Sequence, residues 1–284
     1  MLADFARLNR ALGERPLVMG ILNITPDSFS DGGLWNEPAS AVDHALEMAG
    51  QGADIVDLGG ESTRPGAALV SAEEELARLL PVLKALRKQA PDLPVSVDTR
   101  KASVARRCVE EGACLINDVS ALADPDMAAV AAESGAGVCV MHSLEAPDAM
   151  RWSHQQADRY GSKGPTQAVR DFFAERLEYC AAEGVAREAV WLDPGLGFGK
   201  SVSDNLKLVK ELPALTALGL PVLVGHSRKS FIGAALGGLP PTERLCGTLT
   251  VGALALWLGA SILRVHDVRE AVQTARLVAA LKAA

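Results

Sequence analysis

A chain of 284 residues, 49% hydrophobic and 22% charged, can bury a large apolar core without disulfides or a structural metal, and its composition is that of a soluble globular protein. Its net charge of −7 excludes a broad basic surface for nucleic acid or an anionic membrane. Aromatic residues are only 4%, so Ala, Val, Leu and Ile must build the core.

The first fifteen residues carry Asp4, Arg7, Arg10, Glu14 and Arg15, which leaves no apolar stretch for a signal peptide. From there, short apolar runs recur eight times, separated by amphipathic stretches of helix length. They are LVMGILNIT (17–25), DIVDLGG (54–60), PVSVDT (94–99), CLINDVS (114–120), GVCVMHS (137–143), AVWLDPG (189–195), PVLVGHS (221–227) and ILRVHDV (262–268). Runs apolar nearly throughout suit parallel strands buried on both faces.

The intervening helices have readable ends. Ser71 to Glu74 forms a capping-box pattern before LARLLPVLKALRK, and Pro81 within that helix predicts a kink. Pro165 opens another helix that stops at Gly184. Six helical stretches end in a glycine one to three residues before the next strand, at Gly52, Gly112, Gly135, Gly184, Gly219 and Gly259, where a left-handed C-terminal residue is needed. The stretch from Gly247 to Val265, without a charge before Arg264, imitates a membrane span but reads as a buried helix (about 245–258) and a strand (262–266), because Gly259 interrupts it.

Eight βα units predict the α/β class and a single closed (β/α)8 TIM barrel, with the site at the C-terminal ends of the strands. No linker or composition shift divides the chain, so residues 1–284 read as one domain with a short extension at 1–15. Cys108, Cys114, Cys139, Cys180 and Cys246 form no C-x-x-C pair and read as buried free thiols in a reducing, cytoplasmic compartment. The polar segment 143–164 is long for a loop.

Nearly every predicted strand ends in a chemically able group: Asn23, Glu61, Asp98, Asn117, His142, Asp193, Ser227 with Lys229, and Arg264 with His266. Arg264 and His266 are two apart and face the same side. Arg and Lys beside other donors suit an anion, while Asp98, Asn117 and Asp193 offer contacts to a flat, nitrogen-rich ring. Two simpler readings stand beside these: Asp193 could cap the turn at Pro194, and Asp98 could cap the following helix. PGLGFGKS (194–201) falls one residue short of a P-loop and reads as a glycine-rich ligand loop.

Taken together, the motifs resemble those of the dihydropteroate synthases. Asn23-Ile-Thr-Pro-Asp-Ser-Phe-Ser-Asp-Gly-Gly33 and Gly59-Gly-Glu-Ser-Thr-Arg-Pro-Gly66 are similar to the two signature loops of that family. SVDT (96–99), IND (116–118), LDPGLGFGK (192–200), SRKSFIG (227–233) and RVHDV (264–268) follow in the family's order. The resemblance implies that Asp98, Asn117, Asp193 and Lys229 hold a pterin ring. It implies that Asn23 helps hold Mg2+ on a diphosphate bound by Arg264 and His266. Thr63, Arg64, Pro65, Phe198 and Ser227 would form the p-aminobenzoate site. The catalytic set would be Asp98, Lys229, Arg264 and His266, in a homodimeric enzyme whose C-terminal helices are candidates for the contact. One departure concerns the fifth loop: Ser143-Leu-Glu-Ala-Pro147 stands where the family usually has Met-Gln-Gly-Thr-Pro. Rival readings are a corrinoid-dependent pterin methyltransferase on the same barrel and a non-catalytic pterin-binding paralogue.

Overall fold

All eight apolar runs form strands. The computed structural model describes residues 1–25, 38–62, 66–145, 149 and 151–284. In chain order these comprise α1 (Ala3–Leu12), β1 (Leu17–Asn23), α2 (Pro38–Gly50), β2 (Ile55–Gly59), α3 (Ala72–Gln89), β3 (Val95–Asp98), α4 (Ala102–Glu110), β4 (Leu115–Asp118), α5 (Met127–Ser134), β5 (Gly137–Met141) and α6 (Gly164–Ala182). They continue with β6 (Val190–Asp193), α7 (Val202–Lys210), the short α8 (Pro213–Thr216), β7 (Leu223–Val224), α9 (Ser230–Ala235), α10 (Leu245–Trp257), β8 (Ile262–Val265) and α11 (Val268–Ala283).

Every strand pairing is parallel, in the order β6-β5-β4-β3-β2-β1-β8-β7. A parallel bridge between Leu192 and Val222 joins the two outer strands, with Leu192 N donating to Pro221 O at 2.9 Å. The sheet therefore closes on itself, as a (β/α)8 barrel requires. Both faces of the strands are covered: β2 and β5 are buried at all positions, and apolar residues from all eight strands share one core.

All six glycines expected at helix ends have positive φ, from 69° at Gly135 to 105° at Gly259. Ser71 Oγ accepts from Glu74 N at 3.2 Å, but the Glu74 carboxylate pairs with Arg78, so only half of the capping box forms as a cap. Pro81 lies inside α3, which runs without interruption from Ala72 to Gln89.

The N-terminal extension has a structural role. Phe5 packs on Trp191 with ring centroids 5.2 Å apart, and a Cβ at Gly137 would stand 2.1 Å from the Phe5 ring. Because Gly137 begins β5, α1 closes the mouth of the barrel opposite the C-terminal strand ends.

The expectation of a buried helix at 245–258 is corrected. Thr248, Gly252, Ala255 and Leu256 of α10 are buried, whereas Leu254 and Trp257 are 49% and 54% exposed. The reason is architectural: an outer-layer helix turns one face to the barrel and leaves the other uncovered within the chain. Among the described residues no helix is long and apolar enough to cross a membrane.

Candidate active site

The last strand delivers a cation to carboxylates from the second and third. Arg264 Nε donates to Asp57 Oδ2 at 2.7 Å, and its Nη2 donates to Asp98 Oδ2 at 2.6 Å. Asn117 Nδ2 donates to the same Asp57 oxygen at 2.9 Å. In β4 the alternation of side chains sends Asn117 inward, while Asp118 turns away and accepts from Ser120 N and Leu122 N, both at 2.7 Å.

The other expected ring contacts join this cluster. A Cβ at Gly225 would lie 3.4 Å from Asp193 Oδ2 and 3.9 Å from Arg264 Cδ, so both groups flank one point just beyond β7. Asp193 has two roles: Oδ1 accepts from Gly195 N at 2.7 Å, which is the turn cap, while Oδ2 faces the mouth. Asp98 does not cap α4, whose Ala102 N donates to Asp124 instead. At Gly59 a Cβ would stand 3.3 Å from Asn23 Oδ1 and 3.8 Å from Asp98 Cβ, which sets Asn23 beside Asp98 at the rim.

Lys229 and Phe198 meet across the mouth. The Lys229 ammonium sits 3.9 Å from the Phe198 ring centroid, a cation–π distance. The loop carrying Phe198 has Gly195, Gly197 and Gly199 at positive φ. Its lysine is used differently from a P-loop lysine. Lys200 is fully buried and donates to the carbonyls of His142, Gly195 and Phe198 at 2.8–3.1 Å, so it fastens the loop from within.

Ser227 and His266 form the remaining described pair: Ser227 Oγ lies 3.0 Å from His266 Nδ1 and accepts from His266 N at 3.2 Å. Thr63, Arg64 and Pro65, and residues 26–33 of the first signature loop, lie outside the described residues. Two polar strand ends turn away from the cluster. Glu61 accepts from Arg100, Lys101 and Val70 N, and the His142 ring packs edge-on against Phe172. The fifth loop is organised around Glu145, which accepts from Arg151, Gln156 and Arg159 at 2.7–2.8 Å. Ser153 N ties the same loop to Ser230 Oγ.

Asp57 is the residue that sequence reasoning missed. Its signal was an acid inside DIVDLGG, two residues before Gly59 and therefore on the same side of the strand. A charge in the middle of a fully buried strand needs a partner, and that partner is 207 residues away.

The electrostatics follow from burial. It pushes Asp98 up to about 7, with Arg264 opposing and Asp57 reinforcing the rise. It pushes Asp193 up to about 6, against the Gly195 N–H and Arg264. Burial works against the Arg264 charge as well, but Asp57 and Asp98 outweigh it and hold the guanidinium above its ordinary value. Burial also brings Lys200 down to about 7 and His142 down to about 2, which suits neither to a solvated catalytic role. Three carboxylates thus surround one guanidinium, and the mouth favours an arriving or developing positive charge.

Comparisons with known proteins agree with this geometry. The family described as pterin binding enzyme matches residues 19–266. The dihydropteroate synthase of Escherichia coli K12 is 46% identical over 265 residues, covering 93% of this chain and 91% of that protein. That of Synechocystis is 44% identical over 270 residues, 95% and 91% of the two chains. A crystal structure of the Yersinia pestis dihydropteroate synthase with a sulfonamide drug complex superposes with a TM-score of 0.89 at 44% identity, covering 96% of each chain. The Xanthomonas albilineans dihydropteroate synthase in complex with 7,8-dihydropteroate superposes with a TM-score of 0.81 at 37% identity, over 95% of this chain and 94% of that one. By sequence and by fold, the chain belongs to the pterin binding enzymes, among the dihydropteroate synthases.

Proposed function

We propose that this transferase joins 6-hydroxymethyl-7,8-dihydropterin diphosphate to p-aminobenzoate, giving 7,8-dihydropteroate and diphosphate by a dissociative displacement at the pterin CH2. The observation that carries this reading is the buried cluster of Asp57, Asp98 and Arg264 at the strand ends, with Asn117 and Asp193 beside it.

The amine of p-aminobenzoate is neutral near pH 7, so attack needs no strong general base. The barrier lies in breaking the C–O bond to diphosphate. Asp98, Asn117 and Asp193 accept and donate to the pterin ring, with Lys229 beside them. As the bond breaks, positive charge grows at the CH2 and into the ring. Asp98 then acts electrostatically: the growing cation draws its raised pKa back down and holds it ionised. Arg264 commits Nε and Nη2 to Asp57 and Asp98, which leaves Nη1 to meet the diphosphate. His266 contributes a ring edge steadied by Ser227. Phe198 and Ser227 line the p-aminobenzoate side, together with Thr63, Arg64 and Pro65.

Magnesium keeps several waters and takes few protein ligands when a substrate supplies phosphate oxygens. One amide oxygen, Asn23 Oδ1 at the rim, fits that donor set. When bound, magnesium neutralises charge on the leaving group.

Four of the five free cysteines are buried as expected, while Cys246, on the outer helix α10, is exposed; free thiols support a cytoplasmic setting. Leu254 and Trp257 on α10, with Leu277 and Leu281 on the adjoining α11, are 49–63% exposed and support a homodimer through that face.

The purified protein, supplied with both substrates and Mg2+, should release diphosphate in step with 7,8-dihydropteroate. Release without p-aminobenzoate consumption, or none at all, would contradict the reading. The same assay separates it from a methyltransferase and from a non-catalytic binder.

A further inference from the structure

Arg228 adopts φ +57°, a left-handed conformation that strains a residue bearing a side chain. Across the mouth the same conformation is met with Gly195, Gly197 and Gly199, where it carries little strain. The use of arginine therefore points to its side chain. Nε donates to Asp267 Oδ2 at 3.1 Å and Nη2 to Asp267 Oδ1 at 2.6 Å, a bidentate pair. The backbone is held as well: Arg228 N donates to Thr248 Oγ1 at 3.0 Å, and Arg228 O accepts from Arg244 Nη1 at 2.8 Å. A strained residue fixed from three directions at a site is overdetermined.

The neighbours of this pair give it a purpose. Ser227 and Lys229 flank Arg228, and His266 precedes Asp267. Ser227 Oγ contacts His266, while Lys229 reaches the other way to the Phe198 ring. The left-handed residue between Ser227 and Lys229 is what separates those two directions.

We propose that Arg228 and Asp267 are positioning residues for the reaction, locking the loops after β7 and β8 together so that Lys229 and the Ser227–His266 pair hold their spacing around the pterin diphosphate. This rests on the assignment of Lys229 and His266 to that substrate. Neither Arg228 nor Asp267 touches the reacting atoms in this scheme, so their loss falls on KM for the pterin diphosphate more than on kcat.

The test uses Arg228→Gly, Arg228→Lys, Asp267→Asn and the double variant Arg228→Gly/Asp267→Asn, with steady-state kinetics and melting temperature for each. Arg228→Gly keeps the left-handed backbone without its strain and removes the guanidinium, so relief of that strain offsets the lost ion pair and the melting temperature should stay close to the parent's. Its kcat/KM for the pterin diphosphate should nonetheless fall about ten- to a hundred-fold, the usual consequence of misplaced substrate contacts. Asp267→Asn should match it, Arg228→Lys should not rescue it, and the double variant should be no worse than either single one. A loss smaller than about ten-fold in Arg228→Gly, or losses that multiply in the double variant, would overturn the proposal. Should Asp267→Asn fail to fold, Arg228→Gly against Arg228→Lys still decides. A parent protein without turnover, or full activity in Lys229→Ala, would instead sink the site assignment on which the proposal rests.

Discussion

Arg264 Nη2 donates to Asp98 Oδ2 at 2.6 Å across 166 residues of sequence, joining the last strand of the barrel to the third. The same guanidinium holds Asp57, and Asp57 holds Asn117. The orientation of the Asn117 amide thus depends on an ion pair between the second and the last strand.

Asp98→Asn keeps the shape and an acceptor for Arg264 but removes the charge. Turnover should fall about 10²–10³-fold, the scale seen when one electrostatic contact to a transition state is lost, with melting temperature close to the parent's. An unchanged kcat would remove the charge of Asp98 from the mechanism.

Asp57→Ala leaves Arg264 and Asn117 each short of a buried partner. Breaking a buried pair from one side destabilises by about 3–5 kcal/mol. Urea unfolding should show an unfolding free energy lower by that amount, along with weaker pterin binding. Equal stability would mean that Arg264 is held well enough without Asp57.

The raised carboxyls also predict a pH response in the ligand-free protein. Asp98 lies near 7 and Asp193 near 6, both above the roughly 4 of an unfolded chain. Between those values the folded chain holds protons that the unfolded chain has released. The stability they contribute is therefore complete below about pH 4 and is lost as pH rises through each folded value. Melting temperature should decline between about pH 4 and about pH 7, and Asp98→Asn should flatten the upper part of that decline. An identical slope in the variant would show that Asp98 is not one of the groups responsible.

Lys200→Met removes the donor shared by His142 O, Gly195 O and Phe198 O. Each buried acceptor left without a partner costs about 1–3 kcal/mol, so a loss of several kcal/mol is expected. Because Phe198 rides on the same loop, KM for p-aminobenzoate should rise together with the fall in stability. A stable variant with an unaltered KM would show that the glycine turns hold the loop without the lysine.

The chain by itself determined the eight strands, their order and the barrel. Each apolar run is short and bounded, and the six glycines sit where helices must end with positive φ. The motifs also identified the family, because loops such as GGESTRPG and LDPGLGFGK are long and local. Which polar groups enter the mouth was decided only by tertiary structure. A strand buried on both faces has no polar side to mark the outside, so alternation relates Asp57 to Gly59 without saying that Asp57 points in. Glu61 and His142 looked equivalent to Asp98 and Asn117 in the sequence, yet the first turns to Arg100 and Lys101 and the second to Phe172. The same limit applied to Arg228, whose partner Asp267 is adjacent only because β7 and β8 pair side by side in the sheet. Local pattern sets where strands start and stop; contacts between distant segments set the direction of each charge.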